Sequence, residues 1–106
     1  METYLVIIEL HDLPHGGGRL YGAFVPDVPG CTVIGKSLDE ALFEMRMALT
    51  AAVRRLCIAG KEIPQAHSLE EHQAQYSFLG EALLGEHSVV ALVDVSIPAS
   101  RFALAA

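Results

Sequence analysis

Four carboxylates, Glu9, Glu40, Glu44 and Asp94, are the side chains whose spacing could support chemistry. A two-metal hydrolytic site is held by a cluster of carboxylates. Its metals lie about 3.5–4 Å apart, so the acids must converge on one point. Glu9 sits in the first apolar run, Glu44 in a helical stretch off its apolar stripe, and Asp94 in the last apolar run. Glu40 is committed to capping a helix. No convergent cluster follows from that spacing, so no catalytic residue is assigned and the chain reads as a protein that is not an enzyme.

The five histidines are His11, His15, His67, His72 and His87. His11 and His15 flank a strand end and a glycine run, so their four-residue spacing does not align them as it would on a helix. Neither an H-E-x-x-H motif nor a Cys/His cluster is present, and all five read as loop or surface residues. No metal and no cofactor are expected. Cys31 and Cys57 are the only cysteines, with no C-x-x-C pair. Cys31 has no activating base nearby in sequence and reads as a small buried strand residue in a reduced chain. Gly16-Gly17-Gly18 lacks the spacing of a phosphate loop and leads into a strand, so it reads as a flexible hairpin tip.

The elements that would position these side chains follow from hydrophobic period. Residues 4–10 are almost uninterruptedly apolar, the pattern of a central strand covered on both sides. Residues 20–25 and 31–35 are two more strands, and the short links between the three favour an antiparallel meander. Residues 38 to about 59 form the clearest element. Leu38, Ala41, Leu42, Met45, Ala48, Leu49, Ala52, Val53 and Leu56 recur at three- and four-residue steps. Asp39 and Glu40 near its start and Arg54 and Arg55 near its end suit the helix dipole, and Gly60 reads as its stop. A second, shorter helix is expected within 69–84. Residues 89–95 are a fourth strand, and the long helical crossover before it predicts an orientation parallel to the first.

The densest signal lies in residues 24–45. Pro26 and Pro29 fix the backbone of a tight turn, and Gly30 supplies its permissive position. Ser37 reads as a helix N-cap, with Glu40 three residues on to close a capping box. Pro26-Asp27-Val28-Pro29-Gly30-Cys31, followed by Ser37-Leu38-Asp39-Glu40-Ala41, resembles the turn and helix start of the HicB family of antitoxins. Lys61-Glu62-Ile63-Pro64 is similar to the ending that follows the helix in that family. The resemblance covers nearly the whole chain and implies a β-β-β-α-(α)-β fold, a truncated relative of RNase H. In full, the expected architecture is α+β: a three-stranded antiparallel meander and a fourth strand parallel to the first, packed on one long helix. Many family members continue into a DNA-binding domain. Residues 1–106 are read as a single HicB-like domain with no such separate C-terminal domain.

The resemblance implies an antitoxin that binds and occludes HicA, a small basic toxin that degrades mRNA. Two alternatives stand beside it: a solitary HicB-like oligomeric module without a toxin, and a metal-dependent nuclease in which Glu9 and Asp94 would have to converge. Composition agrees with a protein partner. The formal net charge is −6 and the pI about 5.2, which disfavours direct nucleic-acid binding. Asp27, Asp39, Glu40 and Glu44 are the candidate contacts for a basic partner. Phe43 and Met47 fall opposite the main apolar stripe, beside Thr50 and Arg54, so either segment 69–84 packs on them or a subunit or partner does. With 52% hydrophobic residues and a mean hydropathy of +0.38, the chain is expected to self-associate as a dimer or tetramer. A signal peptide and a membrane-spanning run are both lacking in the sequence, so a cytoplasmic location without membrane contact is expected.

Overall fold

The computed structural model describes residues 2–75 and 88–96. Within them, four strands form one sheet: β1 (Glu2–Asp12), β2 (Arg19–Phe24), β3 (Thr32–Gly35) and β4 (Ser88–Val95), in the order β3-β2-β1-β4. The helix α1 (Leu38–Ile58) lies on one face, and a short helix, α2 (Leu69–Gln75), follows it. The rest of segment 69–84, His87 and the tail 97–106 lie outside the described residues.

Each element begins and ends for a local reason. At the start of α1, Ser37 is extended and its Oγ accepts the Glu40 amide at 3.1 Å, satisfying a donor the first turn leaves unpaired. At its end, the Gly60 amide donates to the Cys57 carbonyl at 3.1 Å and the Lys61 amide to Leu56 at 2.9 Å. That pair of bonds is a Schellman stop. Between the two caps Ala41, Met45, Leu49, Val53 and Cys57 recur every four residues and are buried. Met45, Leu49, Val53 and Cys57 pack on Tyr4, Val6 and Ile8 of β1, Ala23 of β2, and Val93 and Val95 of β4. Strand alternation puts those residues on one face.

Gly35 sets how closely the sheet and helix approach. A Cβ there would lie 2.6 Å from the Ala41 amide nitrogen and 2.9 Å from its Cα. These are backbone atoms of α1 and cannot rotate aside, so the position tolerates no side chain.

The direction of the fourth strand corrects the expectation from sequence. β4 runs antiparallel to β1, with Glu2 opposite Val95 and Glu9 opposite Ser88. The parallel reading assumed that the chain returns to the sheet at the end where β1 starts. It stands at that end when it reaches Pro64, whose carbonyl accepts the Tyr4 hydroxyl at 2.6 Å. It enters β4 beside Glu9, at the other end of β1. A strand entered there must run antiparallel.

The sheet face turned away from α1 is also apolar. Leu5 and Ile7 on that face are buried, but Leu92 and Ile34 are each 67% exposed. The register places all four on one surface.

Candidate functional site

The link between β2 and β3 consists of two consecutive turns. The Val28 amide donates to the Val25 carbonyl at 3.1 Å, and the Cys31 amide to Val28 at 3.2 Å. Pro26 and Pro29 each take the second position of a turn, where a fixed φ is preorganised, and Gly30 takes a φ of +86° that favours glycine. Asp27 is held between the two prolines with its side chain only 6% exposed.

Two histidines converge on that carboxylate from forty or more residues away. The His67 amide donates to Asp27 Oδ2 at 2.9 Å, and His67 Nδ1 meets Oδ1 at 2.7 Å. His72 Nε2 meets Oδ2 at 3.1 Å, and the two imidazoles stand edge to face with centroids 5.8 Å apart. His72 is 2% exposed and the His67 side chain 35%. Burial alone would raise the Asp27 carboxyl. The bonds from the His67 amide and ring and from the His72 ring outweigh it and hold the group below the usual carboxylate range. In turn the Asp27 bond raises His67 above the ordinary histidine value. Burial, reinforced by the charges of Glu2, Asp27 and Cys57, pushes the nearby Tyr4 hydroxyl up to about 12.

The reading of His72 as a loop or surface residue is therefore corrected, since it is buried on α2, while His67 does lie in a loop but is held there by Asp27. A local signal existed in His67-Ser68-Leu69-Glu70-Glu71-His72. Ser68 and Glu71 form a reciprocal capping box, with the Ser68 amide bonded to Glu71 Oε1 at 3.0 Å and the Glu71 amide to Ser68 Oγ at 3.2 Å. The box starts α2 and turns His72 back beneath the residue that precedes it. The missing part was Asp27, whose distance in sequence hides the set. The three residues offer donor atoms within 4.8 Å of one another.

The acids considered for catalysis are not assembled. Glu9 and Asp94 share a sheet face, but Glu9 is opposite Ser88 and Asp94 opposite Thr3, six residues apart along β1. At 3.3–3.4 Å per residue this is roughly 20 Å, far beyond a shared metal site. Asp94 accepts the Thr3 hydroxyl, Glu9 lies 3.5 Å from His11, and Glu44 is exposed on α1. Cys31 and Cys57 are buried free thiols, and burial raises the Cys31 thiol, the opposite of what a nucleophile needs. The glycine tip is an exposed turn (Pro14–Gly16) closed by the Leu13 amide on Gly18.

The remaining candidates lie on the outer face of α1. Asp39, Glu40 and Glu44 are exposed around its first turns, and Phe43 and Met47 are each 60% exposed beside them. Farther along the same face Arg46 lies beside Met47, and Thr50, Ala51 and Arg54 lie between it and Ile58, which is 70% exposed. Asp27, grouped with these acids from sequence, is instead turned inward onto the two histidines.

Fold and surface together define a small α+β domain whose one long helix exposes apolar side chains on its outer face. Residues 4–101 match the model of the HicB-like antitoxin of bacterial toxin–antitoxin systems. The chain belongs to that family. Among solved structures it is similar to the antitoxin HicB of Burkholderia pseudomallei, at 27% identity and TM-score 0.70, over 93% of this chain and 65% of that one. It also shares its fold with a chain of the HicA3–HicB3 toxin–antitoxin complex, at 16% identity and TM-score 0.59, over 89% of this chain and 98% of that one. An uncharacterised 14.9 kDa protein of Haemophilus phage HP1 is 27% identical over 77 residues, 73% of this chain. The chain spans 53% of that relative's length. Among the described residues no helix is long and apolar enough to cross a membrane.

Proposed function

We propose that this chain neutralises a small basic HicA-type toxin by binding it and covering its surface. Membership of the HicB-like family supports the pairing, as does the shared fold with a chain of a toxin–antitoxin complex. The observation that carries the reading is the outer face of α1. Phe43 and Met47 expose apolar surface that nothing among the described residues covers, and Asp39, Glu40 and Glu44 border it with negative charge. The acids around Phe43 suit a cationic protein better than a nucleic acid, whose phosphates they would repel, while Arg46 and Arg54 beside Met47 would meet acidic groups of the same partner. Inhibition of this kind is occlusion and asks for no chemistry from the antitoxin. Co-expression with a HicA-type toxin tests it: growth should recover with the wild-type chain and fail with Phe43→Glu/Met47→Glu, provided the variant remains folded by circular dichroism.

A second reading, a solitary oligomeric module, draws on Leu92 and Ile34. These lie on the face away from α1 and leave it suited to a second copy of the chain. Light scattering separates the two surfaces. A dimer or dimer of dimers that Leu92→Glu dissociates and Phe43→Glu leaves intact assigns the sheet to self-association and the helix to the toxin. A clean 11.4 kDa monomer removes this second reading.

A further inference from the structure

The geometry points to a zinc-type divalent cation site at Asp27, His67 and His72, independent of the surface assigned to the toxin. Two imidazoles and one carboxylate are the donor set of a three-ligand zinc site, with a fourth position left for water or another group. The donors come from three separate pieces of the chain: the β2–β3 turn, the segment after α1, and α2. They are already gathered within 4.8 Å. Asp27 and His72 are buried, while His67 is half-exposed and leaves a path for an ion.

The present contacts of 2.7 and 3.1 Å are hydrogen-bond lengths. Tetrahedral zinc with bonds of about 2.0–2.1 Å places its ligand atoms roughly 3.3–3.4 Å apart, so the two Asp27–histidine contacts would open by a few tenths of an ångström and the widest separation, up to 4.8 Å, would close by up to about 1.4 Å. His67 Nδ1 and His72 Nε2 would each present a lone pair to the ion, and any proton they carry toward Asp27 is released to solvent. The carboxylate supplies the negative charge that a pair of neutral imidazoles lacks. A bound ion would tie the β2–β3 turn to the start of α2, replacing hydrogen bonds with coordination.

The test uses untagged chain freed of metal with a chelator, titrated with zinc chloride against a chromophoric competitor. One ion per chain is expected, together with a rise in thermal midpoint of about 10 °C at hundredfold excess over the dissociation constant. Cobalt(II) should give the intense visible absorption of a four-coordinate site. Asp27→Asn keeps the side-chain shape and His67→Ala alters a half-exposed residue, so both variants are expected to fold. Each should weaken zinc binding by about 100-fold or more. His11→Ala/His15→Ala should bind like wild type. Absence of saturable one-to-one binding overturns the assignment. So does unchanged affinity in Asp27→Asn and His67→Ala, or loss of binding in the His11/His15 variant.

Discussion

Replacing Asp27 with alanine removes the acceptor for three donors at once: the His67 amide, the His67 ring and the His72 ring. Water can reach the half-exposed His67, but His72 at 2% exposure has little access to it. Losing the acceptor of a buried donor costs about 1–3 kcal/mol, and bonds to a charged acceptor sit at the upper end. The turn that Asp27 anchors also loses its tie to α2. The expected destabilisation is about 2–4 kcal/mol, which in a domain of this size lowers the thermal midpoint by roughly 10–20 °C. Asp27→Asn is the control with physical content. Its carbonyl oxygen can take the Oδ2 position and accept from the His67 amide and the His72 ring. Its amide can then donate to Nδ1 of a neutral His67. All three bonds survive, and the cost should stay within about 1 kcal/mol. Melting curves by circular dichroism in the presence of a chelator measure both. An Asp27→Ala midpoint within about 3 °C of wild type would refute the claim that this cluster anchors the fold.

Gly35→Ala should destabilise by about 1–3 kcal/mol in the same assay, because its Cβ meets the helix backbone at Ala41; a neutral result would mean that α1 can lift off β3 freely. The metal-free protein should lose stability as pH rises above the ordinary histidine value of 6.5 and through the raised value of the folded His67, and as pH falls below the ordinary aspartate value of 3.8 and through the lowered value of the folded Asp27. Between those limits both contributions are full, and a melting series in His67→Gln should flatten the alkaline limb alone. With magnesium or manganese the purified chain should leave RNA and DNA intact. Cleavage abolished by Glu9→Gln or Asp94→Asn would contradict the roughly 20 Å that β1 puts between those acids.

What could be read from sequence was what is local. The stripe from Leu38 onward marked α1 to within a residue of its observed end, Ser37 marked its cap, and four apolar runs marked the four strands. Even Cys57, left out of that stripe, continues its four-residue step. The direction of β4 was not local. It depends on which end of β1 the chain occupies at Pro64 and at Ser88, and no period in the sequence encodes that. The same limit applied to the histidine cluster. His67 and His72 straddle the start of α2, five residues apart, a spacing that matches neither helix nor strand period, and Asp27 lies forty residues earlier. Phe43 and Met47 were legible as surplus apolar residues because a helix projection is itself local.

Isothermal titration of the chain with a catalytically inactive HicA-type toxin tests the central claim most directly. Burial of an exposed Phe or Met is worth about 1.5–3 kcal/mol each, so Phe43→Glu/Met47→Glu should weaken binding by about 100-fold or more while leaving the melting curve unchanged. Asp39→Lys/Glu44→Lys should weaken it further and reduce its salt dependence. Equal affinity in the wild-type and Phe43→Glu/Met47→Glu chains would contradict the assignment of α1 as the toxin-binding face. No binding by the folded wild-type chain would contradict the antitoxin reading itself.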